Sequence, residues 1–271
     1  MGKNLPTGAL TVLVFSAAMI APGNAAVFDQ DDRTVPSKQL NSPYAPIGVV
    51  SPLSGLGSWA LPRYTTGFLI DDCHMLTVQH LLGNAESPIG KRVRFTAGFT
   101  TPTRRTSHGT VVLAGGLERY SKDRTQYESE RANDWMVVRL DQCIGQIVGH
   151  VQLQPGLPSS PVKSAGFPSN LLREPLKLDP SCRIRYRTTL LALNDCASMS
   201  GNSGSPIFQE LKLAGRPTLV VYAMQTAGWN TGRKAYPFAW AYANVATPVS
   251  QIWPRVAAIL SKANASQVAA R

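Results

Sequence analysis

The chain has 271 residues, 44% of them hydrophobic and 16% charged, which is enough for one large or two small globular domains with a real core. Its 22 glycines and 20 prolines favour β structure with many turns over a helical bundle. The formal net charge of +11 favours acidic partners or surfaces in a general way, but the Lys and Arg residues are scattered and no nucleic-acid-binding motif is present. We therefore expect no specific recognition of nucleic acid.

The first 25 residues have the pattern of an export signal. Lys3 gives a positive start, a mostly apolar stretch runs from Ala9 to Ala21, and small residues at 23–25 offer a cleavage point. The apolar stretch is short for crossing a bilayer, and no second long apolar run follows it. We expect cleavage after Ala25 or one residue later, which gives an exported protein, secreted or periplasmic, without a stable membrane span.

The rest of the chain has the pattern of a β protein that ends in a helix. Residues 26–45 are polar and aperiodic, and they are expected to form an N-terminal arm or short pro-segment. Thr247 and Pro248 are suited to the start of a C-terminal helix. Between these segments, short apolar runs recur between turn signals, which is typical of a sandwich or barrel. The runs are 47–50, 67–70, 75–78, 93–95, 110–113, 135–138, 162–165, 184–186, 207–208, 218–222 and 238–242.

Four cysteines are present, and an even number in an exported chain indicates two disulfides. Of the three possible pairings, we expect Cys182–Cys196, which closes a small loop ahead of Ser203, and Cys73–Cys143. Metal binding is the alternative, but the sequence offers Cys73 no matching Cys or His pair at ligand spacing. We therefore predict no metal site.

One segment has the form that a nucleophilic serine requires. Residues 195–206 read D-C-A-S-M-S-G-N-S-G-S-P, so Ser203 lies between Gly201 and Gly204 just before an apolar run. The glycines leave no side chain to block a substrate and adopt backbone angles that other residues resist. The amides of Gly201 and Ser203 can then face a single point, where an oxyanion would form. An ordinary turn is the alternative, because Gly, Asn, Ser and Pro all favour turns.

A serine nucleophile needs a base and an orienting carboxylate. His80 follows an apolar run, so the end of a strand would hold it rigidly. Asp134 opens another apolar run, where a carboxylate is costly to bury unless a donor such as a histidine N–H meets it. The competing histidines are His74, His108 and His150, and the competing carboxylates are Asp141 and Asp195.

With that order of His, Asp and Ser, the chain resembles the trypsin-like serine peptidases, in particular their bacterial glutamyl-endopeptidase-like branch. The resemblance covers the chain from about residue 31 to the C-terminal helix. The matching motifs are G-F-L-I-D-D-C-H-M-L-T-V-Q-H at 67–80, N-D-W-M-V-V-R-L at 133–140, S-G-N-S-G-S-P-I-F at 200–208, A-G-F-P at 165–168 and D-D-R at 31–33.

This resemblance implies an all-β fold of two six-stranded antiparallel β-barrels of the chymotrypsin type with a C-terminal α-helix. The first barrel would span 46–155 and carry the histidine and aspartate. The second would span 156–246 and carry the serine, and 247–271 would form the helix and tail.

The resemblance also implies the chemistry. Ser203 attacks an acyl carbon, His80 accepts the serine proton, Asp134 steadies the imidazole ring, and the amides of Gly201 and Ser203 bind the oxyanion. No cofactor is implied. This chain departs from the family in Gln79, where an alanine is common before the histidine.

The same resemblance assigns a substrate pocket to Ala197, Ser198 and Gln225. Ala197 stands where trypsin-type members carry an aspartate, so a preference for Lys or Arg is not expected. Ser198 matches a hydroxyl of the glutamate-cleaving members, but Gln225 replaces their pocket histidine. A polar or small side chain is expected instead.

The sequence thus predicts an exported serine endopeptidase that acts on proteins or peptides through an acyl-enzyme, as a monomer. Two alternatives stay open. One is an inactive relative that binds a partner through the same cleft, and Gln79 leaves room for it. The other is an acyl hydrolase that cleaves esters.

Overall fold

The computed structural model describes residues 26–53, 64–83, 87–117, 126–159, 161–168, 175–228, 235–240 and 243–269, so the predicted signal segment 1–25 lies outside the described residues. The strands are β1 (Val27–Phe28), β2 (Ile47–Pro52), β3 (Thr65–Leu69), β4 (His74–Thr77), β5 (Arg92–Ala97), β6 (Arg105–Ala114), β7 (Met136–Leu140), β8 (Gln152–Leu153), β9 (Val162–Gly166), β10 (Lys177–Cys182), β11 (Ile184–Arg187), β12 (Ala192–Asn194), β13 (Pro206–Leu213), β14 (Arg216–Ala227), β15 (Ala235–Tyr236) and β16 (Asn244–Pro248). The helices are α1 (Tyr127–Ala132), α2 (Gly145–Val148) and α3 (Val249–Ala269), and a 3₁₀ turn spans Gln79–Leu82.

The first unit is a closed antiparallel barrel with the strand order β2-β3-β4-β7-β6-β5. Its sequence alternates as a barrel wall requires. In β5, Val93, Phe95 and Ala97 are buried while Arg92 and Arg94 are exposed. The inward residues of all six strands fill the interior, so this unit has a core of its own.

The second unit is a curled sheet with the strand order β10-β9-β13-β14-β16-β12-β11, to which β8 is added in parallel beside β14. Among the described residues no ladder joins β10 to β11, so this sheet is open where a second closed barrel was expected. The predicted class is nevertheless confirmed, since the chain has two antiparallel β units and a C-terminal helix.

One apolar cluster joins the two units. It contains Phe68 and Trp135 from the first unit, Phe208 from the second, and Ile252 and Val256 from α3. All five side chains are buried to 98% or more. The C-terminal helix therefore packs against both units and helps to fix their relative position, which any site between them requires.

The predicted start of the C-terminal helix differs from the observed start by two residues. Thr247 and Pro248 end strand β16, where they pair with β14, and α3 begins at Val249. Residues 237–240, part of the predicted run 238–242, form no strand, and 241–242 lie outside the described residues. No helix in the described part of the chain is long and apolar enough to cross a membrane.

Candidate active site

His80 lies in the short turn that follows a buried strand, as the sequence predicts. All four residues of β4 are buried, and Thr77 at its end pairs with Met136 of β7. The chain then turns into the 3₁₀ segment, of which His80 is the second residue, and Gly83 follows at a φ of +68°. The imidazole side chain is 24% exposed, so it is held by the barrel but reaches its surface.

Asp134 meets this histidine at the same end of the barrel, because it stands two residues before the residue that pairs with Thr77. Its carboxylate accepts the backbone N–H of His80 at 2.9 Å and lies 2.6 Å from His80 Nδ1. Asp134 is completely buried. An ionised carboxylate can only accept, so the ring proton is assigned to Nδ1 and the basic lone pair to Nε2.

The predicted nucleophile lies on a tight loop between β12 and β13. Gly201 and Gly204 adopt φ values of +92° and +86°, and the N–H groups of Asn202 and Ser205 donate to Met199 and Asn202 to close successive turns. A Cβ atom at Gly204 would stand 2.0 Å from Thr66 O, so only glycine fits there. Turn chemistry and close backbone contact therefore both require the G-N-S-G sequence.

The serine loop is bound directly to the first unit through Thr66 of β3. Thr66 N donates to Ser203 O at 2.9 Å, and its hydroxyl donates to Gly201 O at 3.0 Å. Thr66 O accepts the hydroxyl of Thr77, three residues before His80, at 2.7 Å. The loop that carries Ser203 is thus docked on the strand pair that leads into the turn of His80.

The two amides predicted for an oxyanion site are left available by this arrangement. Among the described residues, the N–H groups of Gly201 and Ser203 have no hydrogen-bond acceptor, although their carbonyl groups are both bonded to Thr66. Unpaired amides beside a serine hydroxyl are the groups that stabilise an oxyanion.

The three predicted pocket residues are all buried beside the serine loop. The exposed fractions of Ala197, Ser198 and Gln225 are 5%, 3% and 2%. Gln225 accepts from Asn194 Nδ2 at 3.2 Å and donates to Ala227 O at 3.0 Å, so both ends of its amide are engaged. Ser198 Oγ has no hydrogen-bond partner among the described residues.

The start of the N-terminal arm lies against this pocket region. Ala26 is fully buried, its N–H donates to Asn244 Oδ1 at 2.9 Å, and its carbonyl accepts from Asn244 Nδ2 at 2.8 Å and from Ser198 N at 3.0 Å. The resemblance in D-D-R suggested an arm, but no sequence pattern indicates that its first residue contacts Ser198.

A disulfide and a buried carboxylate fix the segment ahead of the serine. Cys182 is bonded to Cys196, and Cys73 to Cys143, the pairing favoured from the sequence. Asp179 adds a second link, because its carboxylate accepts Ala197 N at 2.6 Å. Burial raises the pKa of Asp179 to about 6, although hydrogen bonds from the Ala197 and Ser181 amides oppose the shift. Sequence reasoning missed this buried acid, since no motif marks it.

Among the competing residues, His74, His150, Asp141 and Asp195 have other partners, and His150 Nδ1 lies 3.4 Å from Asp72. His74 Nδ1 lies 2.8 Å from Asp71, a nearby acid that sequence reasoning did not consider. Asp141 pairs with Arg92 at the surface, and Asp195 accepts Arg183 N and pairs with Arg185. In the described part of the chain, no group of three or more His, Cys, Asp or Glu side chains is arranged to hold a metal ion.

Comparison with known proteins supports the architecture. No protein-family model and no curated protein matches the chain. Among solved structures, that of a Glu endopeptidase in complex with MPD has a TM-score of 0.58 and 18% sequence identity, covering 90% of this chain and 100% of that chain. At this identity the likeness establishes the fold, and the chain has the chymotrypsin-like architecture that its motifs predicted.

Proposed function

We propose that this protein is an exported serine endopeptidase with Ser203 as nucleophile, His80 as general base and Asp134 as the group that orients the base. The observation that carries the proposal is the completely buried Asp134, which accepts both the backbone N–H and the ring of His80. A buried carboxylate with this bidentate hold on a partly exposed histidine is the arrangement that activates a serine.

The reaction follows from these positions. His80 Nε2 accepts the Ser203 hydroxyl proton as the serine oxygen attacks the peptide carbonyl carbon. The amides of Gly201 and Ser203 stabilise the resulting oxyanion, an effect of about 2.7–4 kcal/mol per donor. The imidazolium then gives its proton to the departing amine, which leaves an acyl-enzyme. Water, deprotonated by the same nitrogen, releases the second product and restores Ser203.

Asp134 contributes without exchanging a proton. The negative charge of its carboxylate stabilises the imidazolium that forms in each half of the reaction, and its two contacts keep the ring from rotating. Because Asp134 is fully buried, the attraction acts in a medium of low dielectric and gains strength from it.

The substrates are proteins or peptides. The pocket formed by Ala197, Ser198 and Gln225 is not expected to favour a Lys or Arg side chain of the substrate. Ala197 offers no carboxylate to a basic side chain, and the Gln225 amide is already bonded at both ends. Two disulfides agree with an exported protein, because such bonds persist in oxidising compartments.

Substitution of the nucleophile tests the proposal. Ser203→Ala should abolish cleavage of casein and labelling by diisopropyl fluorophosphate while the protein stays folded by circular dichroism. Ser200→Ala, three residues earlier, serves as the matched control and should keep both activities. Unchanged casein cleavage by Ser203→Ala would defeat the assignment. A folded wild type that neither cleaves casein nor reacts with the fluorophosphate would support the inactive binding relative instead. A wild type that reacts with the fluorophosphate and hydrolyses esters, but does not hydrolyse peptides, would support the acyl hydrolase.

A further inference from the structure

The residue before the base, Gln79, has contacts that its position alone did not suggest. Gln79 is buried, with 4% of the residue exposed, and its side chain bonds to the segment that follows β6. Its Nε2 donates to Leu117 O, and its Oε1 accepts Leu117 N at 3.2 Å and Gly116 N at 3.4 Å. The amide thus bonds both backbone groups of one residue, as a neighbouring β-strand would.

The segment held by Gln79 is itself attached to the strand that carries the carboxylate. Gly115 N donates to Trp135 O at 2.8 Å, and Trp135 directly follows Asp134. The two backbones touch, because a Cβ atom at Gly115 would lie 2.1 Å from Asn133 O. Displacement of residues 115–117 would therefore be passed directly to the backbone on both sides of Asp134.

These contacts close a ring around the histidine–aspartate pair. From His80 the ring runs through Gln79 to Leu117, then through Gly115 to Trp135, and back through Asp134 to His80, and each step is a hydrogen bond or a short stretch of backbone. The Asp134 carboxylate alone would restrain the histidine from one side. The Gln79 amide ties the same turn to the same strand at a second point, so the separation of the two backbones is fixed.

We propose that Gln79 is a positioning residue, which sets the distance and angle between His80 and Asp134 through its bonds to Leu117. The inference rests on the proposed peptidase function and extends it. Gln79 touches neither substrate nor the reacting atoms. It acts through the geometry of its neighbour, where an error of about 1 Å typically costs on the order of a hundredfold in rate.

Glutamine has the properties that this position needs. One end of its amide donates and the other accepts, which matches the C=O and N–H of Leu117. Alanine would make neither bond and would leave two buried backbone groups without partners. Glutamate would accept from Leu117 N and Gly116 N but, when ionised, would present an oxygen to the carbonyl of Leu117. These bonds therefore explain why this chain has glutamine where alanine is common in the family it resembles.

The kinetic test compares Gln79→Leu with Thr101→Val. Leucine has a similar size and removes all three bonds, whereas Thr101 is a buried residue whose hydroxyl meets Gly98 O and Thr103 O in the turn between β5 and β6. Gln79→Leu should lower kcat by about 10–100-fold with KM within twofold of wild type. Thr101→Val should leave both constants unchanged. Equal kcat in wild type and Gln79→Leu would overturn the proposal. If the leucine variant does not fold, Gln79→Glu, which retains the acceptor bonds, makes the same comparison.

A double-mutant cycle separates positioning from general weakening. If Gln79 acts through the histidine–aspartate pair, Gln79→Leu should add less than twofold to the loss already caused by Asp134→Asn, measured as the rate of fluorophosphonate labelling. Independent effects multiply, so a full additional 10–100-fold loss in the double variant would contradict the inference.

A spectroscopic readout tests the geometry even if the protein is not a peptidase. The proton between His80 Nδ1 and Asp134 lies in a short bond of 2.6 Å, which places its NMR resonance at low field. This resonance should move or broaden in Gln79→Leu and stay in place in Thr101→Val. An unchanged resonance in Gln79→Leu would refute the positioning role. Failure of the peptidase proposal would instead appear as absent hydrolysis and labelling in the wild type.

Discussion

The buried carboxyl of Asp179 should make the stability of this protein fall as the pH rises through the weakly acidic range. Burial is the largest influence on this group and raises its pKa from 3.8 to about 6, and the nearby charges of Asp32 and Asp195 add to the rise. The folded protein therefore holds the Asp179 proton more tightly than the unfolded chain does. Between about pH 4 and pH 6 the folded state carries more protons than the unfolded chain. The contribution of Asp179 to the free energy of unfolding is therefore complete below about pH 4 and is lost by about pH 6.

The magnitude follows from the shift. A difference of about two pKa units, at about 1.4 kcal/mol per unit, amounts to roughly 3 kcal/mol of unfolding free energy. Asp179 is only 3% exposed, so solvent screening reduces this value little. For a domain protein whose whole stability is about 5–15 kcal/mol, such a loss is easily measured.

Asp179→Asn isolates this contribution because asparagine has the same shape and does not titrate. Guanidinium unfolding of both proteins at pH 4, 5, 6 and 7, with disulfides intact, gives the difference in unfolding free energy between them. Wild type should lose roughly 3 kcal/mol relative to the variant between pH 4 and pH 7. Asp141→Asn is the matched control, since Arg92 lowers the pKa of Asp141, so this group titrates below the range and its difference should stay nearly constant from pH 4 to pH 7. A difference for Asp179→Asn that is flat, or that favours wild type as the pH rises, would refute the reasoning.

Three further changes test the site and its processing. Asp134→Asn should reduce kcat by about ten-thousandfold with KM little changed, because an amide can no longer fix the ring proton on Nδ1. Steady-state kinetics on a peptide measures both constants, and a loss within about tenfold would contradict the role given to Asp134. Gly204→Ala should lower the melting temperature, since an alanine at a φ of +86° costs about 1–2 kcal/mol, and its Cβ would also clash with Thr66 O. An unchanged melting temperature would contradict the docking of the serine loop on Thr66. N-terminal sequencing of exported protein should give Ala26 as the first residue, because cleavage one residue later would remove the three hydrogen bonds of Ala26. A first residue of Val27 would contradict this.

The features predicted correctly from the sequence are those in which a local pattern reports a local constraint. The predicted apolar run 93–95 lies within β5, whose alternating burial is that of a barrel wall with one buried face. The two glycines of the G-N-S-G segment predicted unusual backbone angles at 201 and 204, because glycine adopts positive φ values more readily than other residues. The apolar run after Asp134 predicted both a buried strand and a carboxylate that needs a donor.

Other features depend on contacts between distant parts of the chain, and no local pattern encodes them. The open form of the second sheet depends on whether β10 and β11, which follow one another in the chain, also pair through a hydrogen-bonded ladder, and this is a matter of the curvature of the whole sheet. Strand β16 was missed because its last residues, Thr247 and Pro248, also suit the start of a helix. The contact of Ala26 with Ser198 joins residues far apart in sequence, and neither has a side chain that would reveal it.

Thr66 shows why residues of a candidate site can be proposed from the sequence while their contacts cannot. Its N–H and hydroxyl bond the serine loop, its hydroxyl also accepts the N–H of Phe167, and its carbonyl accepts from Thr77. A threonine in a buried strand is unremarkable in sequence, since β-branched residues favour strands in any case. Yet its N–H and hydroxyl hold the serine loop, while its carbonyl holds the strand that leads to His80. The placement of the proposed nucleophile relative to His80 thus depends on a residue with no proposed chemical role, because Thr66 joins the serine loop to the strand pair that leads to His80.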